Sequence, residues 1–489
     1  MSAGNDYPGV YIDGAWAQTD EREAVINPAT EAPIASAPVG TAQHAEAAIA
    51  SARRAFDEGP WPRLSPDERC DRLEAFQQAI EARADEIQAL VTAESGATAM
   101  LSAALHYAMP LRFLELYARL GRRDPIVPSL IATGARPDGG RALGAGMRIY
   151  EPVGVVGAIT PFNFPHFLNV MKVAPALAAG NCVVLKPSPY TPLEALLLGE
   201  IANEIDLPPG VLNVITGDAK VGEMLTTDPR VVMVSFTGSD VVGARVMAQG
   251  APSLKRVLLE LGGKSAMVVC EDADLPRLLP NALEFTIQAG QGCAITTRHL
   301  VHNSVRDRYV QMLGAAVEAM QVGDPADPGV HMGPLIREAQ RERIEEYVAD
   351  GLACGGRLVA GGRRPDALDR GFFYRPTVLD GVDNRWRVAQ EEIFGPVAVV
   401  IGFDSDEEAI EIANDSKFGL GGAVFSADPG RAFEIARAMR TGTVSINGGA
   451  DHMPKLPFGG YKRSGIGREM GIEGLNEYCQ INTVSFPAG

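Results

Sequence analysis

Short β-branched and aliphatic runs alternate with longer amphipathic stretches along most of this chain, but its first hundred residues read differently. Tyr11-Ile12-Asp13-Gly14-Ala15-Trp16 has hairpin character, and helical signals follow. Ser65-Pro66-Asp67-Glu68 combines an N-cap residue, a proline at the first helical position and a carboxylate three residues after the cap. It predicts a long amphipathic helix with its apolar stripe on Leu73, Phe76, Ile80, Ile87, Leu90 and Val91 and its stop at Gly96.

From about residue 150 the pattern becomes strand-helix alternation. Residues 153–159, 182–185, 211–215 and 231–236 read as strands, and residues 168–179, 192–205 and 240–248 as helices. Thr191-Pro192-Leu193-Glu194 repeats the capping-box arrangement. A second series starts near Ser265, with a strand over 266–269, a helix over 275–289 and Cys293 on the loop behind it. Strands over 397–401 and 422–425 alternate with helices such as 407–414. The rhythm predicts an α/β fold with two doubly wound parallel-sheet domains and the chemistry between them. The Gly-rich segment 138–150 reads as a protruding hairpin with residues 483–486 as its partner strand, an edge suited to meeting another subunit.

A chain of 489 residues, 46% of them apolar, has enough material for two or three domains. Its net charge of −17 disfavours nucleic acid and anionic membrane as partners. Met1 to Asp6 has no basic or apolar leader pattern, and no stretch of eighteen uncharged apolar residues occurs, so a cytoplasmic location is expected. The six cysteines form no Cys-x-x-Cys pair and have no histidine at metal-ligand spacing, which argues against disulfides and zinc. His299 and His302 fit alternating positions on a strand better than a dyad with Cys293.

Two residues stand out for chemistry. Cys293 lies in Gly290-Gln291-Gly292-Cys293-Ala294, and Glu260 lies 33 residues earlier in Leu259-Glu260-Leu261-Gly262-Gly263-Lys264. A cysteine alone packs most often as a small hydrophobe, and a carboxylate at a strand end is often merely exposed. The flanking glycines leave the thiol uncovered, and Glu260 follows a buried apolar run, so the pair reads as a nucleophile and a base. Phe236-Thr237-Gly238-Ser239, continuing to Gly243, follows a strand and opens a helix, where free N–H groups suit a diphosphate or merely close a strand-helix turn. Lys186 ends a strand of the same sheet. Asn163 is frozen between prolines in Thr160-Pro161-Phe162-Asn163-Phe164-Pro165, with an amide suited to an oxyanion, although a turn asparagine is the simpler reading in isolation. Gln390-Glu391-Glu392-Ile393-Phe394-Gly395-Pro396 places a carboxylate and an aromatic on a rigid loop, suited to a ribose and a flat ring or simply a surface turn.

In this chain order, Pro-Phe-Asn-Phe-Pro, Phe-Thr-Gly-Ser, Leu-Glu-Leu-Gly-Gly-Lys, Gly-Gln-Gly-Cys, Glu-Glu-Ile-Phe-Gly-Pro and Pro-Phe-Gly-Gly-Tyr-Lys-x-Ser-Gly-x-Gly-Arg-Glu resemble the aldehyde dehydrogenase superfamily from about residue 8 to the end. The resemblance implies an NAD(P)-binding domain over 1–129 and 152–261, a catalytic domain over 262–462, and an oligomerisation arm from 130–151 and 470–489 that builds homodimers or homotetramers. It implies oxidation of an aldehyde to the acid, with water as acyl acceptor. Cys293 is then the nucleophile, Asn163 with the Cys293 backbone N–H the oxyanion hole, and Glu260 the hydrolytic base, while Lys172 helps set the electrostatics. Thr160, Pro161, Phe162, Lys186, Ser188, Pro189, Gly238, Ser239, Gly243, Leu261, Gly262, Glu392 and Phe394 fall at cofactor-binding positions. Phe164, Phe167, Met171 and Phe458 line an apolar substrate tunnel.

Two positions depart from the pattern. Pro189 replaces a glutamate that in many relatives holds the adenosine ribose, so nothing there repels a 2′-phosphate; NAD is the expected cofactor and NADP the alternative. Met171 replaces a bulky aromatic, which leaves the aldehyde unnamed. A coenzyme A-acylating dehydrogenase and an inactive scaffold are the competing readings; Glu260 argues against the first, and Cys293, Glu260 and Asn163 together argue against the second.

Overall fold

A computed structural model describes residues 6–135, 137–449 and 454–487. Met1 to Asn5 of the stretch read for a leader, Arg136 of the arm and the last two residues of the tail lie outside the described residues. Two large sheets organise the chain. The first has eight strands, in the order Ala15–Gln18, Gly9–Ile12, Leu212–Val214, Cys182–Lys186, Val155–Ile159, Val231–Thr237, Arg256–Glu260 and Gly465–Ile466. The five from Leu212–Val214 to Arg256–Glu260 are parallel, and antiparallel strands close both edges. The second sheet has seven strands, six of them parallel, from Thr377–Asp380 through Val397–Phe403, Thr296–His302, Ser265–Val269 and Gly421–Phe425 to Thr443–Ile446. Arg357–Ala360 adds an antiparallel edge.

The parallel strands form where the sequence is continuously apolar. Cys182–Lys186 and Ser265–Val269 are buried along their whole length, as helices on both faces require. The N-terminal hairpin turns on Asp13 and Gly14, both with positive φ (54° and 77°), the two-residue geometry that matches strand twist. The arm is a third sheet in which Arg141–Pro152 pairs with Cys479–Pro487 and, on its other edge, with Ile126–Pro128 and Ala132–Ala135. Thr483 faces Arg148 and Phe486 faces Ala145, so the tail is the partner strand expected for the Gly-rich hairpin. Among the described residues no helix is long and apolar enough to cross a membrane.

Three local expectations are corrected. The long helix is two, Pro66–Ala82 and Ala84–Ser95, broken at Arg83. Arg83 leaves helical geometry (φ −111°, ψ 25°), and its guanidinium binds Glu200 at 2.8 Å and also Glu204, on the helix Leu193–Glu204. The helix Leu193–Glu204 lacks the capping box: Thr191 Oγ1 is buried without a partner among the described residues, and the N–H groups of Leu193 and Glu194 donate to the Glu94 carboxylate at 3.1 and 3.3 Å. The helix expected over 275–289 stops at Ala282, and the chain reverses through Gln288 and Ala289, whose φ values are 51° and 52°. That reversal is held from outside, by the Gln288 side-chain amide donating to Ser95 O at 2.9 Å.

Candidate active site

In the first sheet, successive strands run outward in one direction from Val155–Ile159 and in the other from Val231–Thr237, so a crevice opens between the loops that follow these two strands. One loop is 160–164. The other is Gly238-Ser239, where Ser239 caps the helix Asp240–Gly250 by accepting the Val242 N–H at 3.3 Å. The helix start lies close to its neighbours: a Cβ on Gly243 would sit 2.6 Å from the Leu261 side chain, and one on Gly238 would sit 2.4 Å from the Phe236 ring. Leu261 is anchored by its N–H to Ser464 O at 2.9 Å.

Lys186 stands one strand over, linked to the first loop by the Thr160 N–H on Lys186 O at 3.2 Å. Its ammonium is buried, with Pro187 O at 3.2 Å its one hydrogen-bond acceptor among the described residues, and burial pulls it down to about 8. Ser188 is buried and uses its hydroxyl to cap the turn at Tyr190, while Pro189 is exposed at the rim. Across the crevice the Glu392 carboxylate lies against Gly262 and accepts the Gly263 N–H at 3.1 Å, and burial pushes it up to about 7. Phe394 (φ 60°) meets Phe162 edge-on at 5.9 Å, and Phe162 meets Tyr190 edge-on at 6.0 Å, with Pro161 half-buried beside them.

Cys293 is half-buried in the loop after the reversal at Gln288 and Ala289. Its thiol is pushed up to about 12, first by burial and then by the Glu260 and Glu392 carboxylates, so at neutral pH it rests protonated. Gly263 touches this loop so closely that a Cβ there would lie 2.4 Å from Cys293 O. Asn163 reaches it from the opposite side, its Nδ2 donating to Gln291 O at 2.7 Å. Glu260, the last residue of Arg256–Glu260, is 2% exposed and neither carboxylate oxygen has a hydrogen-bond partner among the described residues. Burial foremost, and then Glu469, hold its carboxyl well above the usual range, against the opposing pull of Lys172 and Arg468. Lys172 is fully buried, with Nζ 2.6 Å from Glu469 Oε1 and 3.1 Å from Ser235 Oγ. The structure therefore brings together a half-buried cysteine, an amide, a desolvated carboxyl and a buried ion pair. His299 and His302 stand apart from them: His299 Nδ1 pairs with the Tyr309 hydroxyl at 2.8 Å, and His302 caps the next helix.

Residues 16–484 match the model of the aldehyde dehydrogenase family. The chain belongs to that family. It is 41% identical over 484 residues to a 3-succinoylsemialdehyde-pyridine dehydrogenase of Pseudomonas sp, with 98% of each chain covered. It is 40% identical to the geranial dehydrogenase of Castellaniella defragrans, again over 98% of each. Among solved structures, an aldehyde dehydrogenase of Mycobacterium tuberculosis complexed with NAD+ superposes with a TM-score of 0.92 at 41% identity, covering 99% of this chain and 98% of that one. The betaine aldehyde dehydrogenase of Staphylococcus aureus in complex with NAD+ gives a TM-score of 0.93 at 37% identity, covering 98% and 94%.

The apolar residues expected to line an aldehyde dehydrogenase tunnel lie on two elements. Phe164 and Phe167 meet edge-on at 6.4 Å, Phe167 packs on Phe113 at 5.3 Å, and Met171 is buried one turn further along the same helix, Pro165–Ala178. Phe458 reaches the site differently, through a backbone pair with Glu469 at 2.7 Å in both directions, beside Gly459, whose Cβ would lie 2.7 Å from Glu260 Oε1. Glu469 and Ser235 were missed as partners of Lys172, although Glu469 belongs to the quoted Gly-x-Gly-Arg-Glu motif. Gln291, also within a quoted motif, was missed because its contribution is a backbone carbonyl.

Proposed function

We propose that this aldehyde dehydrogenase oxidises an aldehyde to the free carboxylic acid with NAD, through a thiohemiacetal and then a thioester on Cys293. The observation that carries the reading is the buried Glu260 carboxyl, which has no hydrogen-bond partner among the described residues and lies near enough to raise the Cys293 thiol, beside a loop that Asn163 binds at Gln291 O and Gly263 packs against at Cys293 O. The crevice fits a dinucleotide. Lys186 is a buried ammonium lacking a strong acceptor, Glu392 is a desolvated carboxyl suited to ribose hydroxyls, and the helix start at Ser239 suits a diphosphate. When bound, the oxidised nicotinamide accepts the hydride and adds positive charge to the pocket.

The Cys293 thiol gives up its proton to solvent, the thiolate attacks the carbonyl carbon, and the developing oxyanion is received by the second N–H of Asn163 Nδ2 and by the Cys293 backbone N–H. Each such donor is worth about 3–4 kcal/mol in a water-excluded site. Loss of hydride leaves the thioester. Glu260 then takes a proton from water, which attacks the acyl carbon and restores the thiol. The Lys172–Glu469 pair sets the field in which Glu260 ionises. Phe164, Phe167, Met171 and Phe458 suit the uncharged body of an aldehyde and give no cation to a carboxylated one. The division into cofactor-binding (1–129 and 152–261), catalytic (262–462) and arm (130–151 and 470–489) regions is part of the same reading, with the arm's exposed edge joining subunits.

The test is a panel of short aliphatic to aromatic aldehydes with NAD and NADP in parallel, with and without coenzyme A. Free acid forming at full rate without coenzyme A is expected, and a requirement for coenzyme A overturns the reading.

A further inference from the structure

Behind the catalytic loops lies a buried polar cluster that the chemistry above does not use. Glu94, in the last turn of Ala84–Ser95, and Glu194, in the first turn of Leu193–Glu204, are both fully buried and repel one another. His166, on Pro165–Ala178, has Nδ1 3.4 Å from Glu194 Oε2, and His106, in the π-helical segment Ser102–Ala108, adjoins His166. Neither imidazole makes a hydrogen bond among the described residues. Two carboxylates cannot both ionise so far from water, so the pair retains a proton, and burial raises Glu194 to about 8. A buried carboxyl pair of this kind is less stabilising than an apolar pair of equal volume, so its presence calls for a geometric reason.

The hydrogen bonds supply one, because they close a circuit around the site. Asn169 Nδ2 donates to both oxygens of Glu194 at 2.8 and 3.0 Å, and Asn169 Oδ1 accepts the Thr160 hydroxyl at 2.6 Å, at the start of the loop carrying Asn163. In the other direction the backbone N–H of Glu194 donates to Glu94, and the next residue, Ser95, receives Gln288 Nε2 at 2.9 Å. Gln291 Nε2 bonds Gln288 O at 2.9 Å, and Gln291 O receives Asn163 Nδ2 at 2.7 Å, two residues before Cys293. The nucleophile loop and the oxyanion loop are thus tied to each other directly in front and through Glu94 and Glu194 behind.

We infer that Glu194 is a positioning residue for the oxyanion site: its carboxyl, acting through Asn169 and Thr160, registers Asn163 against Cys293. The inference rests on the roles proposed above for those two residues. Releasing the rear tie lets the Asn163 loop drift, and a misplacement of about 1 Å costs about 10²-fold in rate. The effect falls on acylation, which the first burst of NADH reports, far more than on cofactor affinity, to which Thr160, Pro161 and Phe162 on the same loop contribute only part.

Stopped-flow bursts of the full-length enzyme decide it. Glu194→Ala is expected to slow the burst at least tenfold with the KM for NAD within about twofold of wild type. Glu194→Gln, which still accepts from Asn169, is expected to restore the burst to within about twofold. Asn169→Leu should slow it as Glu194→Ala does, and the double variant should be no slower than the slower single one, because both cut the same tie. A Glu194→Ala burst within twofold of wild type, a Glu194→Gln burst as slow as that of Glu194→Ala, or additive losses in the double variant overturns the inference. Should Glu194→Ala fail to fold, Asn169→Leu decides alone, and an unslowed burst overturns it. Asn163→Ala separates the two levels: if it leaves the burst unchanged the oxyanion assignment falls, whereas a slow Asn163→Ala beside a normal Glu194→Ala removes only the positioning role.

Discussion

Lys172→Met is the perturbation whose size the structure constrains best. The substitution keeps the buried stem and deletes an ammonium 2.6 Å from Glu469 Oε1. Glu469 is 2% exposed and its other oxygen has no partner among the described residues, so the carboxylate is stranded. Removing one member of a buried pair costs about 3–5 kcal/mol, which lowers the melting midpoint by on the order of 10 °C. Chemistry changes in the same direction. Lys172 is one of two cations that hold the Glu260 carboxyl down, so its loss moves that carboxyl further up, and the fraction ionised at neutral pH falls tenfold for each unit. In the proposed mechanism deacylation needs the ionised form, so it should slow, and the acid limb of the kcat profile should move to higher pH. Lys172→Met/Glu469→Gln removes the raising influence as well as the lowering one, so midpoint and limb should both return towards wild type. Differential scanning calorimetry and pH-rate profiles check this. A Lys172→Met protein melting within about 2 °C of wild type with an unmoved acid limb would refute the reasoning.

Further outcomes follow from the same geometry. Gly263→Ala places a Cβ 2.4 Å from Cys293 O, a backbone atom that cannot swing aside, so the burst should fall about 10²-fold while the protein remains folded by circular dichroism. Without cofactor, iodoacetamide should label Cys293 slowly at pH 7 and faster as pH rises, since a thiol raised to about 12 is almost wholly protonated there. In Glu260→Gln the second cause of that rise is removed, so labelling at pH 9 should quicken. Pro189→Glu introduces a carboxylate at the rim of the crevice proposed to hold the dinucleotide and should cut kcat/KM for NADP at least about tenfold while sparing NAD, measured side by side.

What the sequence made legible was whatever depends on neighbours in the chain. Continuous apolar runs marked Cys182–Lys186 and Ser265–Val269, and the Ser65 cap is present with its box to Glu68. The glycines around Cys293 read as leaving the thiol uncovered for a ligand, whereas Gly290 presses on the Gly395–Pro396 backbone and Gly292 on the Ile295 side chain, contacts with segments distant or local that the residue types alone do not reveal. What escaped depends on partners far along the chain. The break at Arg83 answers to Glu200 and Glu204, the start of Leu193–Glu204 is capped by Glu94 from 99 residues away, and the reversal before Cys293 is pinned by Ser95. The Thr191 box failed for the same reason: Glu194 bonds Asn169 on a neighbouring helix instead of turning back. Lys172 was legible as a residue of interest, yet its meaning required Glu469, 297 residues later.

The division of labour between Cys293 and Glu260 is the centre of the account, and Glu260→Gln tests it most directly. Mixed rapidly with NAD and a turned-over aldehyde, this variant should release NADH in a burst close to one equivalent per Cys293. It should then turn over at least about 10²-fold more slowly than wild type, with intact-mass measurement showing the acyl group held on Cys293. Steady-state turnover at the wild-type rate, or a burst with no acyl adduct, would contradict it.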